Sequence, residues 1–192
     1  MKSAIKLLAS ALAYLLVYPL ALSHRLYYLL TKSEKFFHAQ SQALSLVPGM
    51  TGSYLRRAYY QQTLQACSSD CEIHFGALIT HVGAEIGPGV IISHFAEIGL
   101  ATLEAGVLIG SHTMIVTAKR THLAEVEGSG EEGVSQPYQR VRIGKKTWIG
   151  NSAVILANVG EQCVIGAGAV VVKEIPPRSV AVGNPARVIR QI

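Results

Sequence analysis

The sequence predicts a parallel β-helix preceded by a hydrophobic and amphipathic α-helical extension. Three observations predict it: an aliphatic residue recurring every six positions from residue 73 onward, a glycine that often follows it, and an uncharged apolar run from Leu7 to Ser23 outside the repeat. A six-residue period fits neither the 3.6-residue spacing of a helix nor the alternation of a hairpin sheet. It fits a solenoid in which each repeat makes one short strand and one corner, three repeats closing a triangular coil.

The N-terminal element comes first. Leu7 to Ser23 would span about 25 Å as a helix, slightly short of a bilayer core, and Pro19 is expected to kink or end it. Lys2 and Lys6 precede the run, His24 and Arg25 follow, and a second apolar patch, Leu26 to Leu30, carries Tyr27 and Tyr28. A cleaved signal peptide, a spanning helix and a monotopic anchor all fit this outline. Ala21-Leu22-Ser23 is a poor cleavage site, so a retained anchor over residues 1–30 is the favoured reading. Cations beside apolar sequence suit an anionic lipid surface, and the expected location is the cytoplasmic face of a membrane.

Residues 31–72 form an amphipathic helical linker. Glu34 to Val47 places Phe36, Phe37, Ala43, Leu44 and Val47 near one face and His38, Gln40 and Gln42 off it, and Pro48-Gly49 breaks it. Ser53 is expected to cap a second helix carrying Tyr54, Leu55, Ala58 and Tyr59, with Arg56 and Arg57 beside them.

The repeat occupies residues 73–175. Its anchors are Ile86, Ile92 and Ile98; Leu103, Ile109 and Ile115; Ile143, Ile149 and Ile155; then Val159, Ile165 and Val171, with Ile73 and Ile79 as a less regular earlier coil. The anchor points into a narrow interior. Four residues later stands a small or β-branched residue that also points inward: Val90, Ala96, Thr102, Val107, Thr113, Thr147, Ala153, Cys163 or Ala169. The glycine after the anchor is expected at a tight corner, where it tolerates positive φ. Residues 119–142 lose the period and read as an extruded loop, the kind that tends to be functional. Residues 176–192 are a C-terminal tail.

Composition narrows the function. The chain has 192 residues and a formal charge of +5, with a mean hydropathy of +0.32. No basic run with interleaved aromatics occurs, so nucleic acid is not an expected partner. Three cysteines, Cys67, Cys71 and Cys163, do not make a secreted disulfide framework. Cys67, Cys71, His74 and His81 depart from any usual zinc-finger spacing, and no metal is expected.

The run Ile143-Gly144-Lys145-Lys146-Thr147-Trp148-Ile149-Gly150, the run Val164-Ile165-Gly166-Ala167-Gly168-Ala169-Val170-Val171 and the ending Val182-Gly183-Asn184-Pro185-Ala186-Arg187-Val188-Ile189 resemble the hexapeptide-repeat, or isoleucine-patch, acyltransferases. That resemblance covers about residues 73 to 192. It implies a left-handed β-helix, a homotrimer, and acetyl-CoA or another acyl-CoA bound between neighbouring prisms. It does not identify the acceptor; the leading reading is transfer of a short acyl group to a hydroxyl of a sugar, polysaccharide or lipid-linked glycan, the N-terminal anchor motivating the lipid-linked form.

Acyl transfer from a thioester to a hydroxyl needs a base, and histidine suits it. The family places its catalytic histidine just before the excursion that precedes the Ile-Gly-Trp coil, which corresponds to His122. The runner-up is His94, whose Ser93-His94 pair weakly resembles the Asp-His element of serine acetyltransferases, with serine in place of aspartate. His112 is a further candidate for lining the substrate groove. By position the resemblance assigns Trp148, Asn151, Ala167, Val172, Lys173, Arg187 and Arg190 to coenzyme A, with Val172 standing where a threonine is common. Two other readings are a serine O-acetyltransferase-like enzyme and a non-catalytic scaffold on the same fold.

Overall fold

The computed structural model describes residues 2–117 and 139–192. Three helices lead the chain: α1 (Lys2–Thr31), α2 (Lys35–Ser45) and α3 (Gly49–Thr63). The strands follow as β1 (Ala66–Cys67), β2 (Glu72–Ile73), β3 (Leu78–Ile79), β4 (Glu85–Ile86), β5 (Ile91–Ile92), β6 (Glu97–Ile98), β7 (Ala101–Leu103), β8 (Leu108–Ile109) and β9 (Met114–Ile115). After the undescribed segment come β10 (Val141–Ile143), β11 (Trp148–Ile149), β12 (Val154–Ile155), β13 (Val164–Ile165), β14 (Val170–Val171), β15 (Ser179–Val182) and β16 (Arg187–Gln191).

From β4 through β12 each strand stacks on the one three before it; β13, β14 and β15 stack on the one two before, because Val159 and Ile175 fill sheet A as single bridges rather than strands. Sheet A runs β1-β4-β7-β10, sheet B runs β2-β5-β8-β11-β13-β15 and ends on β16, and sheet C runs β3-β6-β9-β12-β14. All pairings are parallel except β15 with β16. Val159 extends sheet A as a bridge between Ile143 and Ile175. The chain thus forms the expected triangular prism, with the anchors Ile73, Ile92, Ile109, Ile149 and Ile165 buried in one interior column.

The structure moves several boundaries and gives reasons. The prism begins at Ala66, not residue 73, because β1 pairs with β4, and β15 carries it past residue 175. The repeat resumes at Val141, inside the expected loop of 119–142. Thr102 does not point inward: it is half-buried and donates to Glu85 Oε2 at 2.9 Å, while Ala101 fills the interior. Strand alternation explains this. The inward partner stands two residues before an anchor, and the step from Ile98 to Leu103 is one residue short.

The glycines serve a different purpose from the expected one. Positive φ falls three residues after an anchor, at Phe95, His112, Lys146, Ser152 and Gln162 among others. The glycine directly after the anchor permits close stacking instead. A Cβ on Gly144 would lie 2.4 Å from Glu161 N, and one on Gly150 would lie 2.5 Å from Ala167 N.

The helices cap the first coil. Helix α1 runs unbroken through Pro19, held on either side of it: Gln62 Nε2 donates to the Tyr14 carbonyl at 3.1 Å, and Arg25 Nη2 donates to the Gln62 carbonyl at 2.6 Å. Helix α2 buries Phe37, Gln40, Ser41, Leu44 and Ser45. Phe36 and Ala43 face outward, contrary to expectation. Gln40 tolerates burial because Tyr59 Oη donates to its Oε1 at 2.8 Å and its Nε2 donates to Ser23 Oγ at 2.9 Å. Helix α3 starts at Gly49 with Pro48 as its N-cap, so Ser53 lies within it and caps nothing. Arg56 is fully buried. It donates to the carbonyls of Ile73, Leu44 and Val47 at 3.0, 3.0 and 2.8 Å, joining the helices to the prism.

Candidate active site

The corner between sheets B and C collects chemistry-bearing residues. In each coil the chain turns there through a left-handed residue three past the sheet B anchor: Gly76, Phe95, His112, Ser152 and Gly168. Equal offsets stack these positions along the prism axis. His112 N donates to the His94 carbonyl at 2.9 Å, and Gly168 N donates to the Asn151 carbonyl at 2.9 Å. His94, His112, Asn151 and Ala167 therefore share one edge of the molecule, all exposed to solvent.

Aromatic contacts order the first three layers of that edge. The Phe95 and His112 rings stack at 5.2 Å and 12°, Phe75 meets Phe95 edge-on at 5.5 Å, and His74 lies 4.9 Å from His94. His74 Nε2 is 3.4 Å from Glu72 Oε2. The sequence reading weighed His74 only for zinc and missed Phe75 and Phe95. The signal was present, because Phe95 and His112 hold the same offset from Ile92 and Ile109. Farther along, Asn151 Oδ1 accepts from Ser111 N at 2.9 Å. That bond fixes the amide and leaves its NH2 for a ligand.

Trp148 stands beside this edge on the outer face of sheet B, 55% exposed, in register with exposed Leu108. Val172 and Lys173 are elsewhere. They follow β14 at the corner between sheets C and A, the corner that lies between β9 and β10, which flank the undescribed segment. His122 belongs to that interval and lies outside the described residues. Arg187 and Arg190 sit on β16, opposite Val182 and Val180, both exposed. The candidate residues that are described thus occupy both edges of sheet C and the outer face and far end of sheet B, and one prism does not gather them.

Cys163 is no nucleophile candidate. It is buried in an inward slot, burial pushes its thiol up, and its Sγ donates to the Pro176 carbonyl at 3.1 Å. The Sγ atoms of Cys67 and Cys71 lie 3.7 Å apart at the capped end. His81 reaches Glu34 Oε2 at 3.2 Å, so the four residues weighed for zinc do not converge. Among the described residues no group of three or more metal-ligating side chains comes together. A surface cleft of about 300 Å³ opens on sheet A between Glu104, Arg142, Glu161 and Glu174. Its carboxylates and its distance in the fold from the histidines make it a poor seat for a phosphorylated donor.

No family model matches the chain. A Schizosaccharomyces pombe protein provisionally named an acetyltransferase is 38% identical over 100 residues, 51% of this chain and 46% of its own length. A mitochondrial serine acetyltransferase of Arabidopsis thaliana is 37% identical over 112 residues, 57% of this chain and 26% of its own length. The chain thus spans less than half the length of these curated relatives. The solved maltose O-acetyltransferase of Clostridium difficile 630 superposes with a TM-score of 0.71 and 25% identity, covering 83% of this chain and 86% of that one. This likeness shows the prism to be the left-handed β-helix of hexapeptide-repeat acetyltransferases.

Proposed function

We propose that the chain is a coenzyme A-dependent O-acetyltransferase acting on a hydroxyl of a sugar, polysaccharide or lipid-linked glycan. The observation that carries this reading is the likeness of nearly the whole chain to a sugar O-acetyltransferase. The acyl donor is acetyl-CoA, and its site forms between two copies in a homotrimer. The division of candidate residues between the two edges of sheet C supports this arrangement, since a neighbouring prism can bring one copy's corner beside the other's. Asn151 would hold the pantetheine arm. Trp148 would wall the acyl end, and Ala167, Val172, Lys173, Arg187 and Arg190 would meet the adenosine and its phosphates.

The reaction is direct transfer. His122 takes the acceptor hydroxyl proton, the oxygen attacks the thioester carbonyl, and a preorganised donor stabilises the oxyanion. The carbon–sulfur bond breaks, and the protonated imidazole returns its proton to the departing thiolate. The N-terminal extension holds the enzyme at the cytoplasmic face of a membrane, where a lipid-linked acceptor would be presented.

A second reading places the base at His94, beside His74, with serine as acceptor. The serine acetyltransferase relative and the ring contact favour it. One assay separates the readings: thiol release from acetyl-CoA by the full chain, screened against maltose, galactosides, lipid-linked glycans and free serine. The first reading expects release only with a glycan and a loss of at least about 100-fold in His122→Ala. Full activity in His122→Ala with loss in His94→Ala moves the base to His94. Absence of acetyl-CoA binding by calorimetry leaves a scaffold.

A further inference from the structure

Length and composition alone permit α1 to cross a membrane, since Lys6–Thr31 is long and apolar enough. Its packing argues otherwise. One stripe, Ala13, Val17, Ala21 and His24, is buried, at the spacing of a single helix face. Polar bonds run along the same segment. Arg57 Nη2 donates to Ser10 Oγ at 3.0 Å, Gln62 Nε2 donates to the Tyr14 carbonyl at 3.1 Å, Gln40 Nε2 donates to Ser23 Oγ at 2.9 Å, and Arg25 Nη2 donates to the Gln62 carbonyl at 2.6 Å. From Ser10 to Arg25 the helix covers about 24 Å, most of a hydrocarbon core of about 30 Å. If that stretch spanned, Arg57, Gln62 and Gln40, with α2 and α3 behind them, would have to enter the hydrocarbon with it. The cost of a charge there is several kcal/mol.

The opposite face is built for a partner. Leu8, Leu12 and Leu15, then Leu22, Leu26 and Leu29, are 72, 57, 70, 40, 55 and 66% exposed. Their spacing of four and three marks a single outward stripe on both sides of Pro19. Tyr14 and Tyr18 are exposed beside it. Exposed cations bracket the stripe: Lys6 before it, Lys32 and Lys35 after it.

We propose that α1 lies flat on an anionic lipid leaflet, its outward leucine stripe sunk at the acyl-chain boundary and its inner stripe docked on α3. This rests on the membrane-held reading above and specifies it: the attachment is monotopic, and both ends of α1 remain on one side. A leucine face flanked by lysines is the pattern of interfacial helices, which add apolar burial to attraction for anionic headgroups. The prism then rides on the leaflet through α3 and Arg56, so an acceptor carried by a lipid is within reach without leaving the surface.

The test has two arms with the full chain. In the first, Lys6→Cys and Lys32→Cys are made singly in a Cys67→Ser background and expressed in bacteria, and intact spheroplasts are treated with a membrane-impermeant maleimide. The proposal expects the protein in the membrane fraction, no labelling at either position in intact cells, and labelling at both after lysis. Labelling of one of the two in intact cells means a span, which overturns the proposal and leaves membrane attachment standing. Recovery in the soluble fraction overturns attachment itself.

In the second arm, purified protein is floated with vesicles of phosphatidylcholine, with or without phosphatidylglycerol. Joint substitution of Leu12, Leu15 and Leu26 by Gln should weaken partitioning by more than about tenfold. The melting of the prism should be unchanged, because those side chains are exposed. Binding should also strengthen with phosphatidylglycerol. Unchanged partitioning, or a lipid-independent self-association abolished by the same substitutions, overturns the proposal.

Discussion

Replacing Arg56 by Met should uncouple the helical cap from the prism. Arg56 is fully buried, and its guanidinium supplies the carbonyls of Ile73 in β2, Leu44 at the end of α2 and Val47 in the turn before α3. Nη1 also lies 3.3 Å from the Ser45 carbonyl, but with two hydrogens it serves the shorter pair better. Methionine keeps about the volume but removes all three bonds: the Ile73 and Val47 carbonyls lose their guanidinium donor, and the Leu44 carbonyl is left with Val47 N at 3.2 Å. A hydrogen bond to a charged group contributes about 1.5–3 kcal/mol, so three set an upper range near 5–9 kcal/mol. Burying the cation offsets part of this, because desolvation lowers the Arg56 pKa and Nη2 is buried with no partner among the described residues. The net expected loss is about 3–5 kcal/mol. Urea unfolding of the full chain in detergent tests it with two signals: helical circular dichroism, and fluorescence of Trp148, the single tryptophan, on β11. The helical transition should shift to lower urea and separate from the Trp148 transition. A change under about 1 kcal/mol with the two transitions still coincident would refute the reasoning.

Other outcomes follow from the same geometry. Gly150→Ala should destabilise the prism by at least about 1–3 kcal/mol, since its Cβ would meet the backbone of Ala167 at 2.5 Å; chemical denaturation followed at Trp148 measures it. Gly168→Ala, with open space around the new Cβ but φ at +68°, should lose only about 1–2 kcal/mol in the same assay. His24 is buried with Nδ1 unpartnered among the described residues, and burial lowers its pKa from 6.5, outweighing Glu34. The unfolded chain therefore binds a proton first as pH falls. Docking of α1 should be at full strength above about pH 6.5 and weaken as pH drops through the unfolded value toward the folded one. Hydrogen exchange of α1 between about pH 5 and pH 8 checks this, and His24→Gln should flatten the dependence.

The prism was legible because a narrow interior leaves an aliphatic anchor little alternative, and that constraint recurs from Ile73 to Val171. What lay beyond the sequence depended on registration between coils. Thr102 reads as an inward residue when counted forward from Ile98, and only the stacked strand shows that the count must run backward from Leu103. The glycine after each anchor reads as a turn residue, whereas its cause is the backbone of the next coil, many positions away. Gln40 and Arg56 read as surface side chains, because their partners are carbonyls and hydroxyls supplied by other elements. The coenzyme residues were named by resemblance position by position, and their division between two corners emerges only from the fold. The stacking of Phe95 on His112 is readable from the sequence once offsets from the anchors are aligned, since both stand three residues past Ile92 and Ile109.

The most direct test of the proposed chemistry is acceptor-dependent release of coenzyme A thiol from acetyl-CoA by the full chain, run beside its His122→Ala variant. The account predicts release with a sugar hydroxyl acceptor, loss of that release in the variant, and acetyl-CoA binding retained in both. Undiminished turnover in the variant would contradict the assigned base, and a chain that binds no acetyl-CoA would contradict the reading of the prism as an acyltransferase.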